Sequence, residues 1–336
     1  MNKFFNIKRT KMIDEAAFRH YPVTTGKGIL SFILVYFLAH ILSSLIDFGV
    51  SFVYGIVYSI KSGLLTDYYN AVEAENQEEA ERIIEELMAG IDVPWWFIIV
   101  ELFSTALIIL VAIFFCKKFE KRPVSSMGIR RGGIVLEILL GAVLGAVISA
   151  LTIGFAFITG SVSFVPDKMF SPVFVVLIFA CLIEAAAEEL LLRGYFMTSL
   201  ARDTKPIVAI LLSALVYALF HLLYLDPVII INAFLFGVLM GLYVFKRGSI
   251  WGAIVLNFVW SYVSCVIFGS PILALGSTPS ILSPVYNYAD VISGGEIAGF
   301  EAGLAFTLVL VIGIAVLFLF KTKKREISDF DVEYFA

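Results

Sequence analysis

The chain has 336 residues, of which 60% are apolar and 15% charged, with a formal net charge of −4. A soluble domain carries roughly 25% charged residues, so the composition excludes an ordinary cytosolic enzyme, a disordered chain and a nucleic-acid binder. About 200 apolar residues are enough for eight to ten spans of roughly 20 each, which predicts an all-α, polytopic transmembrane helical bundle.

In chain order, residues 1–27 are basic (Lys3, Lys8, Arg9, Lys11, Arg19, Lys27) and have no apolar core of their own. They read as a cytoplasmic segment before a retained first span, not as a removed signal peptide. Apolar stretches follow at about 28–60, 94–116, 132–159, 172–201, 206–224, 228–245, 249–268 and 302–320. Cytoplasmic loops retain Lys and Arg. An eight-span path with both termini cytoplasmic puts 21 of the 24 Lys and Arg on one side, leaving only Lys61, Arg82 and Lys168 outside.

This divides the chain into spans one to three (28–168) with an acidic outer loop at 61–93, and a four-span core (169–268). An outer cap with the last span (269–320) and a cytoplasmic tail (321–336) complete it. Within the acidic loop, Ala80, Ile83, Ile84, Leu87 and Met88 recur at helical spacing, which predicts a short amphipathic helix over 73–88. The stretch 269–301 has no base and several Gly, Pro and Ser, so it reads as an irregular cap. Gly141 with Gly145, and Gly237 with Gly241, predict close helix contacts. Cys116, Cys181 and Cys265 have no paired or metal-binding spacing and read as buried small hydrophobes.

Charge near the bilayer centre is costly and asks for a reason. The fourth span carries Glu184, Glu188, Glu189 and Arg193, the fifth Tyr217 and His221, and the seventh Asn257 and Ser261. The turn around Arg202–Lys205 is equidistant from Glu188 and His221, so an antiparallel hairpin brings them to one height. Each lies about 16 residues, or roughly 24 Å of helix, from that apex. Asn257 is ten residues past Arg247, roughly 15 Å by the same rise, and reaches a similar level. Glu189 and Arg193 form an i,i+4 pair in the favourable order. They are read either as support for a site or as an ion pair that fixes packing. Glu188 points about 100° away from Glu189, which casts it as a general base beside His221. Glu184 shares its side and is either a proton partner or the lining of a wet cavity. His40 reads as a hydrogen-bonded core residue, and His20 as solvated.

Glu188-Glu189-xxx-Arg193-Gly194 resembles the EExxxR motif of the CPBP family, the CAAX-protease and bacteriocin-processing (Abi) membrane proteases. Tyr217-xxx-His221 resembles its FxxxH motif, with Tyr for Phe. Phe234, Gly237, Gly241 and Gly248-Ser249-Ile250-Trp251 resemble the lead-in to its third motif, HxxxN. That third motif departs from the family: Asn257 and Ser261 stand where it has His and Asn. The similarity covers about residues 170–265.

The resemblance implies an intramembrane endopeptidase in which Glu188 and His221 activate water, Glu189 and Arg193 support them, and Asn257 donates to the oxyanion. An Asn amide or a Ser hydroxyl can still donate such a bond. There is no HExxH, and catalytic zinc usually takes three protein ligands, so a metal-free site is preferred. A divalent ion such as zinc on Glu188 and His221 is the alternative. The implied partners are a peptide or protein substrate at the membrane and the lipid bilayer, with no nucleic acid, in the plasma membrane. The alternatives are a catalytically impaired membrane scaffold or immunity protein and, more weakly, a proton-coupled transporter.

Overall fold

Backbone groups in lipid have no water to bond, so long apolar runs satisfy themselves as helix. All eight apolar runs are helical in the computed structural model, which describes residues 10–17, 25–90, 96–166, 172–222, 225–271, 279–287, 291–295 and 299–319. His20 and the tail 321–336 lie outside the described residues.

The helices are α1 (Lys11–Ala17), α2 (Thr25–Ser62), α3 (Leu64–Glu73), α4 (Gln77–Gly90), α5 (Trp96–Ser104) and α6 (Ala106–Lys118). They continue as α7 (Ile134–Ile158), α8 (Val173–Glu189), α9 (Thr198–Ala201), α10 (Pro206–Phe220), α11 (Pro227–Arg247), α12 (Trp251–Ser261) and α13 (Leu304–Leu319). Among the described residues, four stretches are long and apolar enough to cross a membrane: Gly26–Ser62, Trp96–Lys118, Ile134–Ile158 and Pro227–Arg247. Shorter apolar helices run over Pro206–Phe220, Trp251–Ile267 and Leu304–Leu319. The chain is an all-α integral membrane protein.

The second apolar run breaks between α5 and α6 at Thr105. There the Ser104 and Thr105 hydroxyls donate back to the carbonyls of Glu101 (2.8 Å) and Leu102 (2.6 Å). Such bonds compete with helix continuation.

Both glycine pairs serve as close contacts. A Cβ on Gly141 would meet the carbonyl oxygen of Gly252 at 2.2 Å, and one on Gly145 that of Leu256 at 2.9 Å, so α7 and α12 pack backbone to backbone. Gly237 does the same for α11 against α10, where a Cβ would meet Ala214 Cα at 2.7 Å. Cys116 and Cys181 are buried and Cys265 is half-buried, and among the described residues none of the three is in a disulfide.

Two features were not read from the sequence, and a third was read only in part. Met12, Ile13 and Ala16 of α1 are fully buried, and α1 packs on a 3-10 turn at Val124–Met127 and on α9. The helix expected over 73–88 is α4, and it pairs with α3 through a small cluster of Ala71, Ala80 and Ile83 against Leu64 and Tyr68. The stretch expected to be irregular contains β2 (Leu282–Tyr286), antiparallel to β1 (Val162–Pro166) with Val162 opposite Tyr286.

Candidate active site

The site is built on α8 and its continuation. After Glu189 the helix widens into a π-helical stretch, Leu190–Met197, before α9 resumes. The Thr198 hydroxyl donates to the carbonyl of Arg193 at 2.9 Å, five residues back, in keeping with the wider turn. Gly194 packs closely on the neighbouring turn: a Cβ there would sit 3.0 Å from the Met127 carbonyl oxygen. Such local π-helical insertions recur at functional sites.

Glu189 and Arg193 are fully buried and paired, Nη1 to Oε1 at 2.9 Å. Among the described residues, Glu189 Oε2 and Arg193 Nε and Nη2 have no hydrogen-bond partner. The guanidinium is also held by an aromatic face, with its Cζ 5.0 Å from the Tyr217 ring centroid. Asn257, on α12 and 3% exposed, donates from Nδ2 to Glu188 Oε2 at 2.9 Å and reaches Glu189 Oε1 at 3.5 Å. One amide thus bridges the two adjacent glutamates.

His221 follows the last residue of α10, where the chain leaves the helix. Asp226 then starts α11 by accepting from the Val228 and Ile229 amides at 2.7 and 3.2 Å. The His221 ring is edge-on to Tyr217, centroids 4.9 Å apart, and its Nδ1 is 2.9 Å from the Tyr217 carbonyl oxygen. A carbonyl can only accept, so Nδ1 carries the proton and Nε2 the lone pair in the neutral ring.

Glu188 and His221 are both partly exposed, whereas Asn257, Glu189 and Arg193 behind them are buried. Glu188 lies within electrostatic reach of His221, Arg193 and Glu301. Glu184 lies within reach of Glu188, Glu301 and Glu101. Ser261 stays apart: among the described residues its hydroxyl bonds to neither glutamate, and its carbonyl accepts from Ser264 Oγ at 3.3 Å.

Two residues join that the motifs did not reveal. His40 on α2 is bonded within its own helix, Nδ1 to the Tyr36 carbonyl at 2.9 Å, as a core histidine would be. It also lies within electrostatic reach of Glu188. Glu301, in a 3-10 turn at Gly299–Ala302 just before α13, lines a cavity of about 10 Å³ together with Tyr217, His221, Asn232 and Trp260. That volume holds about one water. An isolated acid in a stretch rich in Gly, Pro and Ser gives no periodic signal. Only the unbalanced charge beside an apolar run hinted at it.

Among the described residues, no group of three or more His, Cys, Asp or Glu side chains is placed to hold a metal ion. Glu188 and His221 alone fall short of the three protein ligands that catalytic zinc usually takes.

At the opposite end of the π-helical stretch lies a second polar cluster. Arg122, fully buried, donates from Nε to Glu120 Oε2 at 2.5 Å and from Nη2 to the Tyr195 carbonyl at 3.1 Å. Ser199 donates to Glu120 Oε1 at 2.7 Å, and Arg202 lies 3.4 Å from Oε2. Burial pushes the Glu120 carboxyl up, but the Arg122 and Arg202 charges and the hydrogen bonds outweigh it and hold it below the usual carboxylate range. This cluster packs the segment that carries Arg193 and holds no accessible nucleophile or base.

Residues 170–263 match the family described as Rce1-like, type II CAAX prenyl endopeptidase Rce1-like, and so bear out the resemblance to the CPBP proteases. No curated protein and no solved structure matches the chain.

Proposed function

We propose that the chain is an intramembrane endopeptidase that hydrolyses peptide bonds in membrane-associated peptides or protein tails. The observation that carries this reading is the layering of the site. Two partly exposed groups able to handle a proton, Glu188 and His221, stand in front of a buried Asn257–Glu189–Arg193 support. The match of this segment to a prenyl endopeptidase family supports the same reaction class.

In this reading Glu188 takes a proton from water while the water oxygen attacks the scissile carbonyl carbon. The carbonyl π electrons move onto oxygen, and the Asn257 amide, released as Glu188 takes up its proton, donates to that charge. His221 steadies the attacking water through a water held at its Nε2, whose oxygen accepts the attacking water's second hydrogen. The proton held on Glu188 passes to the leaving amine as the C–N bond breaks, so the carboxylate is regenerated. Glu189 and Arg193 touch no reacting atom and hold Asn257 and the helix in register. The reaction as proposed uses no metal. The cavity of about 10 Å³ beside His221 has room for about one water.

We take the chain to cross the plasma membrane eight times with both termini cytoplasmic, which puts the site in the cytoplasmic half. A second reading, a catalytically impaired relative acting as a scaffold or immunity protein, draws on one observation. Asn257, which stands where the family has His, spends its amide on Glu188 (2.9 Å). The test is incubation of purified protein with a peptide library, wild type beside Glu188→Gln. Cleavage by wild type alone supports the enzyme, and no cleavage by either supports the scaffold.

A further inference from the structure

We propose that Glu301 is a positioning residue of this site, holding the His221 ring through a single bridging water. The turn before α13 would then complete a centre whose other members lie on α8, α10 and α12. The inference rests on the endopeptidase reading for its consequence, and on the cavity for its geometry.

Glu301 and His221 both line the same space of about 10 Å³. With the Nδ1 proton given to the Tyr217 carbonyl (2.9 Å), Nε2 is an acceptor, and so is the carboxylate. A water has two hydrogens, and between two acceptors both are satisfied. The ring is then fixed at both ends, by a carbonyl at Nδ1 and by water at Nε2, which prevents it from flipping.

Glu301 is itself held from several elements. Trp260 of α12 donates Nε1 to Oε1 at 3.1 Å, and its ring stacks on Phe306 of α13 at 4.1 Å. Asn232 of α11 donates Nδ2 to the Glu301 carbonyl at 2.8 Å and accepts at Oδ1 from Thr307 Oγ1 at 2.6 Å. The turn therefore presents its carboxylate on a scaffold of polar bonds rather than on a loose loop. Glu301 is also within electrostatic reach of both Glu184 and Glu188, so these three acids share one field. It lies outside the matched segment 170–263, so a comparison of motifs alone would not find it.

The test uses the full chain in lipid nanodiscs, with its three histidines labelled at the ring nitrogens. The His221 signals are assigned by their loss in His221→Gln. Glu301→Leu fills the space but removes the acceptor, whereas Glu301→Gln keeps an acceptor oxygen. The His221 Nε2 resonance is expected to move in Glu301→Leu and to return toward its wild-type position in Glu301→Gln, with the His40 signal as the internal control. In parallel, kcat for a membrane-anchored peptide should fall by about 10²-fold in Glu301→Leu at unchanged KM, the scale of loss a misplaced group produces. Should Glu301→Leu accumulate poorly, pairing it with Trp260→Phe removes the donor left unpaired. An unmoved His221 signal overturns the proposal, and so does a moved signal with unchanged kcat in a protein that cleaves. A moved signal in a protein that cleaves nothing supports the His221–Glu301 contact and counts against the endopeptidase reading alone.

Discussion

Two residues of α8 separated by one peptide bond make opposite demands. Glu188 is partly exposed and bonded by the Asn257 amide at 2.9 Å; Glu189 is fully buried and ion-paired with Arg193 at 2.9 Å. Glu188→Gln keeps an oxygen to accept from Asn257 but cannot accept a proton. Loss of a general base costs about 10²–10⁴-fold in rate, with little change in accumulation. Arg193→Ala instead leaves Glu189 as an unpaired buried charge, which costs about 3–5 kcal/mol for a fully buried pair. Expression yield and thermal melting, read beside cleavage, should show an inactive but stable Gln variant and an unstable Ala variant. Equal stability of the two would remove the assigned division of labour. The i,i+4 pair and the convergence of positions 188, 221 and 257 were legible because helix period and hairpin symmetry are local rules. Glu301 and His40 were not, because each reaches the site through tertiary packing that no spacing encodes.

At the scale of elements, the long apolar runs were legible because lipid allows them little but helix. The π-helical widening after Glu189 was not, since Leu190–Met197 carries no Pro and reads as ordinary helix. Nor was the β1–β2 pairing, whose partners Val162 and Tyr286 are far apart in the chain. The widened stretch is clamped by the Glu120 cluster, in which Arg122 reaches the Tyr195 carbonyl at 3.1 Å. This gives a pH dependence of definite sign. The folded Glu120 carboxyl titrates below its ordinary value, so its contribution is present above the unfolded carboxylate pKa and is lost as pH falls through the folded one. Glu120→Gln should therefore melt lower than wild type at pH 7, and the gap should close below about pH 4, near the ordinary carboxylate range. A gap that persists undiminished in acid would show that the ion pairs contribute nothing through their charge.

For the whole molecule, burial ranks the helices. In α11, 72% of the most apolar window is buried inside the protein, against 22% in α2 and 28% in α7. The helix that packs on α10 and α13 is therefore central, and α2 and α7 present mostly apolar side chains outward, as lipid-facing helices do. α10, α12 and α13 have 15, 11 and 16 residues. At 1.5 Å per residue they fall short of the roughly 30 Å hydrocarbon core. They reach farther only through what continues them, such as the π-helical turn at Tyr262–Ile267 after α12. Eight crossings thus depend on short helices sheltered among longer ones, and hydropathy alone would not establish the count. Charge provides the independent test. With 21 of 24 Lys and Arg on one face of an eight-span path, reporter fusions within 61–93 should report outside, and fusions after Lys321 should report the cytoplasm. An odd number of crossings would place the C-terminal fusion outside. If the segment lost lay between α8 and α12, Glu188 and Asn257 would enter from opposite faces of the membrane, at odds with the 2.9 Å bond that joins them. An external C-terminus would therefore require the missing crossing to lie before α8 or after α12, and would move the site to the outer half of the bilayer in the first case only.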